Sequence, residues 1–136
     1  MDFDTNQYVR DLITLYRSGK HSEVVALSKK IEHEVKDNVL AQDLIALSNL
    51  KLGLLDSAIT HYSRSIVLAP DNPESHFNLG VTNRTLGKLN EAIDCFNKTI
   101  QLDVDHVDAY FSIGEIYQTK KFFDKAIVQY ETVLNL

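Results

Sequence analysis

Pro73–His106, PESHFNLGVTNRTLGKLNEAIDCFNKTIQLDVDH, is the stretch that decides the fold. It divides into two amphipathic segments joined by a tight turn, and the rest of the chain is that unit repeated with variation. Gly80 recurs 34 positions on as Gly114, and Gly87 is matched by Gly53 and Gly19. Ala92 is matched by Ala58 and Ala126, with Val24 in the earliest copy. Phe96 is matched by Tyr62 and Tyr130, and Ile100 by Ile66 and Leu134. A constant period of this length marks stacked helical hairpins, each too small to bury its apolar faces alone. The period predicts an all-α single domain of about eight helices, in copies 5–38, 39–72, 73–106 and 107–136.

The 136 residues suffice for one continuous core, with 44% hydrophobic and 24% charged residues. A formal charge of −5 argues against a nucleic-acid binder, which needs clustered cations to neutralise phosphates. The start, Met1-Asp2-Phe3-Asp4, is acidic and has no apolar run, so no secretory signal is expected. No apolar segment approaches transmembrane length, and no membrane partner is expected. The single cysteine, Cys95, cannot form an internal disulfide, which fits a reducing cytoplasm. It reads as a half-buried helix residue rather than a reactive thiol.

Local signals place the helices. Tyr8, Leu12 and Leu15 recur at helical spacing, so 5–17 reads as one helix, stopped by Ser18-Gly19-Lys20. A second helix over 22–35 would set Val24, Leu27, Ile31 and Val35 on one face. This first copy has Ser28 where the others carry a ring, a deviation common in terminal repeats. Asn38 is placed to cap the next helix, and Asn72 with Pro73 to start the third copy. In the fourth copy, Phe123, Ala126, Ile127, Tyr130, Val133 and Leu134 form the expected inner face of the last helix. Lys121 stands where the turn glycine belongs, so this turn is either strained or differently built. The chain stops where the other copies make their next loop. The expectation is therefore an amino-terminal part of a longer protein.

Small and large residues alternate so that facing helices interlock. Gly80 and Ala92 allow a close approach, and Phe96 and Leu79 fill the space beside it. The pattern resembles the tetratricopeptide repeat family over essentially the whole chain. It is carried by Leu79-Gly80, Gly87, Ala92 and Phe96, by Tyr110, Gly114, Tyr117, Ala126 and Tyr130, and by Gly53, Ala58, Tyr62 and Pro70. Departures are Gln42 and His76 for an aromatic and Ala46 for a glycine. The resemblance implies a right-handed α-solenoid of four hairpins, whose first helices line a concave groove that takes a peptide or partner domain. An alternative is a regulatory or substrate-presenting segment of a larger enzyme, such as a bacterial transferase.

The groove face reads as what the core leaves free on each first helix: Arg10 and Tyr16, then Asp43 and Leu47 with Leu44 beside them. The third and fourth copies contribute Phe77, Asn78, Val81, Arg84, Phe111 and Glu115, with Ser112 between the last two. Phe77 and Phe111 would be stacked neighbours, either rings flanked by charge as in a recognition hot spot or rings packed between adjacent hairpins. The family's carboxylate clamp uses Lys, Arg and Asn. Only Asn78 matches it, because Asp43, Leu47, Asp108 and Ser112 hold the other places. No enzyme, cofactor or metal centre is expected. Asp103, Asp105, His106 and Asp108 lie where helix caps belong and lack the glycine and terminal glutamate of a calcium loop. His21, His33, His61 and His76 stand singly. Self-association through the uncapped last helix is a further expectation, with Tyr130 and Leu134 as its contacts.

Overall fold

Two helix starts carry an asparagine cap in the computed structural model, which describes residues 3–136. The described residues form helices only. In chain order these are α1 (Phe3–Arg17), α2 (His21–Lys30), α3 (Glu32–Val35), α4 (Val39–Lys51) and α5 (Leu55–Leu68). Then come α6 (Pro73–Thr85), α7 (Leu89–Leu102), α8 (Val107–Thr119) and α9 (Phe123–Leu134). Asn38 Oδ1 accepts from the Ala41 amide at 2.9 Å, and Asn72 Oδ1 from the Glu74 amide at 3.2 Å, with Pro73 in the first turn. Both side chains satisfy donors that a helix start leaves open.

The turn within each hairpin has one form. After α6, the Lys88 amide donates to the Asn83 carbonyl and the Gly87 amide to the Arg84 carbonyl, both at 2.9 Å. This paired closure requires a left-handed residue, which Gly87 supplies at φ 79°. Lys121 adopts the same conformation at φ 62°, with Phe122 bonded to Tyr117 at 2.8 Å and Lys121 to Gln118 at 3.0 Å. The fourth turn therefore keeps the shared geometry and accepts the strain of a side chain there.

The helix expected over 22–35 is interrupted at Ile31 (φ −114°, ψ 16°), which gives nine segments among the described residues where about eight were expected. The Glu34 and Val35 amides both turn back to the Ile31 carbonyl at 3.1 Å, so α3 starts afresh from that residue. At its far end, the Val35 carbonyl accepts from the Asn38 amide at 3.0 Å and from the buried Gln42 side-chain amide at 3.1 Å.

The chain forms two compact units, Met1–Pro70 and Asp71–Leu136. The first holds α1–α5 around Leu12, Val24, Ile31, Val35, Ala41, Leu44 and Ile45. The second holds α6–α9, with Ala92, Phe96, Ala109, Ile113 and Ile116 at its centre. Packing inside the hairpins follows from residue volume. A β-carbon on Gly80 would come 2.7 Å from Phe96 Cε1 and 3.1 Å from Cys95 Cβ, so a side chain there must displace the Phe96 ring. Gly80 therefore meets the Phe96 ring as its closest neighbour. The repeat-equivalent positions in the first copy carry Leu12 and Ser28, both buried. The large side chain has moved to the first helix and the small one to the second, which conserves the volume of the pair.

The last helix departs from expectation. Ala126 is buried and Tyr130 and Val133 are half-buried, but Phe123, Ile127 and Leu134 are exposed. Their counterparts in α7 are covered by α8, and no described element lies over them.

Candidate functional site

In the second unit, the exposed side of α6 and α8 is held by two polar ties. Arg84 Nη1 donates to Glu115 Oε2 at 2.7 Å, joining the two helices. Both groups are partly exposed, so the pair contributes about 0.2–1 kcal/mol and serves mainly to set register. His106 bridges at the other end. Its Nδ1 accepts from the Ala109 amide at 3.2 Å, so Nε2 carries the proton and faces Glu74 Oε1 at 3.1 Å. His106, rather than any of the neighbouring aspartates, thus caps α8.

The two phenylalanines do not stack on one another in the way the repeat spacing suggested. Phe77 lies 5.5 Å from Phe96 and 4.7 Å from His106, centroid to centroid, and packs against the core. Phe111 lies 5.5 Å from Tyr130 and is 48% exposed. The reason is geometric: residues 34 apart stand on the first helices of successive hairpins, and each phenylalanine meets the ring on its own hairpin's second helix, Phe77 meeting His106 as well. Val81 is half-buried against the same core. The Asn78 amide is half-buried and makes no side-chain hydrogen bond among the described residues. Ser112 is buried, which removes it from the exposed face.

In the first unit, Arg10 is exposed, and Asp43 and Leu47 are half-buried one turn apart on α4. Leu44 is buried and belongs to the core. Tyr16 is half-buried, with its ring edge-on to His21 at 5.3 Å. Beneath this face, the Tyr62 hydroxyl is fully buried without a hydrogen-bond partner among the described residues. Burial first, then the charge of Asp43, raises its pKa and keeps the phenol protonated.

The periodicity gave no hint of a polar cleft of about 820 Å³ in the first unit, bordered by α3 and α5. Gln42 lies at its edge. With its Nε2 committed to Val35, Gln42 Oε1 accepts from His61 Nδ1 at 2.8 Å, which fixes the histidine tautomer. Burial pushes the His61 pKa down, and Glu32 partly offsets this. The signal in the sequence was Gln42 itself, a polar residue in a column that elsewhere holds Tyr8, His76 and Tyr110. Cys95 is half-buried, accepts from Asn83 at 3.7 Å, and has its thiol pKa raised chiefly by burial. No described helix is long and apolar enough to cross a membrane.

Comparisons with known proteins agree with this architecture. Residues 49–86 match a family model described as TPR repeat. Residues 73–106 and 107–136 match two models described as tetratricopeptide repeat. No curated protein matches the sequence significantly. A crystal structure of MamA is similar with a TM-score of 0.93 and 22% identity, over 96% of this chain and 77% of its own. MamA 41-end from Desulfovibrio magneticus RS-1 has a TM-score of 0.91 at 17% identity, over 97% of this chain and 75% of its own. The second TPR of Spaghetti, bound to an HSP90 peptide, has a TM-score of 0.69 at 24% identity, over 74% of this chain and 94% of its own. At these identities the likeness is one of fold.

Proposed function

Because the chain belongs to the tetratricopeptide repeat family, we propose that it is a non-catalytic scaffold holding a peptide or partner segment on its first-helix faces. The observation that carries this reading is Phe111, a half-exposed ring one helical turn from the Glu115–Arg84 ion pair. An aromatic anchor beside a fixed charge pair gives apolar contact and orientation together. The unbonded Asn78 amide supplies a donor and an acceptor for a peptide backbone. In the first unit, Arg10, Tyr16, Asp43 and Leu47 offer a comparable mixed surface. The histidines that could suggest catalysis have structural roles: His61 on Gln42, His106 on Glu74 and Ala109, and His21 3.3 Å from Ser48 Oγ. A reducing cytoplasm suits the half-buried thiol of Cys95.

A solved neighbour binds an HSP90 peptide. The equivalent clamp places here are Asp43, Leu47, Asp108 and Ser112, which repel or ignore a terminal carboxylate. The partner of this face is therefore read as an internal segment with an apolar anchor. Capture of partners by the intact chain, compared with Phe111→Ala and Arg84→Ala, tests this. Both variants should keep native helix content and lose at least one specific partner; an unchanged set of captured proteins would sink the reading.

A further inference from the structure

The polar cleft of the first unit goes with the interruption at Ile31. In the next two copies the second helix runs on through an apolar last turn, with Ile66 and Leu68 in α5 and Ile100 and Leu102 in α7, all half-buried. The equivalent places in the first copy are Glu32 and Glu34 of the restarted α3, and both are exposed. α4 packs against α2 and α5. No apolar last turn fills the space between α3 and α5, and the cleft of about 820 Å³ opens there. It is set between two copies rather than at an end of the array, so a further stacked helix is not its occupant.

The lining is polar, with Val67 as its one apolar side chain, and all of it is exposed except the buried Gln42 and the half-buried His61. Because Gln42 Oε1 takes the Nδ1 proton of His61, Nε2 is left as an acceptor, and it makes no hydrogen bond among the described residues. Burial keeps this imidazole neutral at neutral pH. Lys29, Lys30, Lys36 and Arg64 stand around it. Arg64 is committed, pairing with Asp37 at 2.7 Å and donating from Nε to the Lys36 carbonyl at 3.1 Å. The three lysines have no ion-pair partner among the described residues. They outnumber the lining carboxylates Glu32 and Glu34 in a chain whose net charge is −5.

We infer that this cleft binds an acidic peptide segment of a partner protein, with carboxylates on Lys29, Lys30 and Lys36 and a backbone N–H on His61 Nε2. Its volume is that of an organic or peptide site, and a single small anion would leave most of it empty. A peptide carries N–H donors and carboxylates on one chain, which answers both the neutral imidazole and the lysines. A basic segment would meet like charge at all three lysines. No two acidic residues are adjacent anywhere in these 136 residues, so neither this chain nor a second copy supplies such a segment. The lysines are exposed, so the contact is weak and sensitive to salt. The cleft shares no residue with the first-helix surface proposed above, and the two are tested separately.

The full chain is titrated at low salt with fluorescent hexaglutamate. Saturable binding is expected, weakened at least about tenfold by Lys29→Glu combined with Lys36→Glu, and severalfold by raised salt. At saturation the His61 ring signals should shift in NMR spectra, while those of His106 in the other unit stay in place. Both lysines are exposed, so helix content should remain native in the double variant. Equal binding by that variant, or unmoved His61 signals, would overturn the inference. Equally tight binding of hexalysine, inorganic phosphate or a uridine hexanucleotide would do the same, because each lacks the paired chemistry of an acidic peptide. So would light scattering that shows a wild-type dimer abolished by the two lysine reversals, which would make a second copy the occupant.

Discussion

Lys121 is the residue at which local chemistry and repeat geometry disagree. It holds the left-handed conformation that Gly19, Gly53 and Gly87 adopt at their turns. A side chain there costs about 1 kcal/mol relative to glycine. Lys121→Gly should therefore stabilise the protein by about that amount, seen as a higher urea midpoint with an unchanged slope. A lower midpoint would show that the lysine side chain contributes more than its backbone strain removes. Gly80 and Gly114 make a matched pair of the opposite kind. Alanine at Gly80 must displace the fully buried Phe96 ring, at a cost of roughly 1–3 kcal/mol. Alanine at Gly114 meets the half-buried Tyr130 ring, which is less enclosed than Phe96 although its hydroxyl donates to Gln118 Oε1 at 2.9 Å, and the gain in helix propensity of about 1 kcal/mol offsets part of the shift. Gly80→Ala should lower the thermal midpoint clearly more than Gly114→Ala; equal losses would mean that Tyr130 is as immobile as Phe96.

At the scale of elements, the break between α2 and α3 and the His61–Gln42 bond form one local arrangement. The folded protein holds His61 at a lowered pKa, whereas the unfolded chain titrates near the usual value of about 6.5. Below that pH the unfolded state binds more protons, so stability is lost as pH falls from about 6.5 towards the folded value. His61→Leu, the residue type at the equivalent Leu27, should lack this loss. Urea midpoints at pH 7.5 and 5.5 should fall further for the wild type than for the variant, and parallel falls would rule His61 out. The last helix gives a second test at this scale. With its outer row uncovered, α9 should exchange amide hydrogens faster than α7 in the same unit. Equal protection of the two helices would mean that the apolar row matters little to local stability.

At the scale of the molecule, each unit has its own apolar cluster, one centred on Leu12 and Ile45 and the other on Phe96 and Ile113. Truncating either should cost about 2–5 kcal/mol, because both side chains are fully or almost fully buried. Leu12→Ala should lower amide protection across 3–70, and Ile113→Ala across 71–136. If protection falls only within a turn of the mutation, the units lack cooperative cores. The Leu12 case also tests the volume exchange with Ser28. Leu12→Ala with Ser28→Leu should recover part of the loss, since it restores the order of sizes found in the other copies.

The period of glycine, alanine and ring positions was enough to derive the helices, the hairpins, the caps at Asn38 and Asn72 and the family. These depend on backbone preference and on which side of a helix is apolar, both of which are written locally. The interruption at Ile31 was not legible, because Val24, Leu27, Ile31 and Val35 keep helical spacing across it and no glycine or proline marks the break. The same holds for the first-helix surfaces. Periodicity separates core from surface on one helix, but it placed Leu44 and Ser112 on the wrong side and set Phe77 against Phe111. Those side chains are shared between two helices, and their exposure is decided by what the second helix brings. The α9 face shows the division most plainly. Its apolar row is visible in the sequence as a copy of α7, yet only the tertiary structure shows it bare, because burial is a property of neighbours rather than of residues.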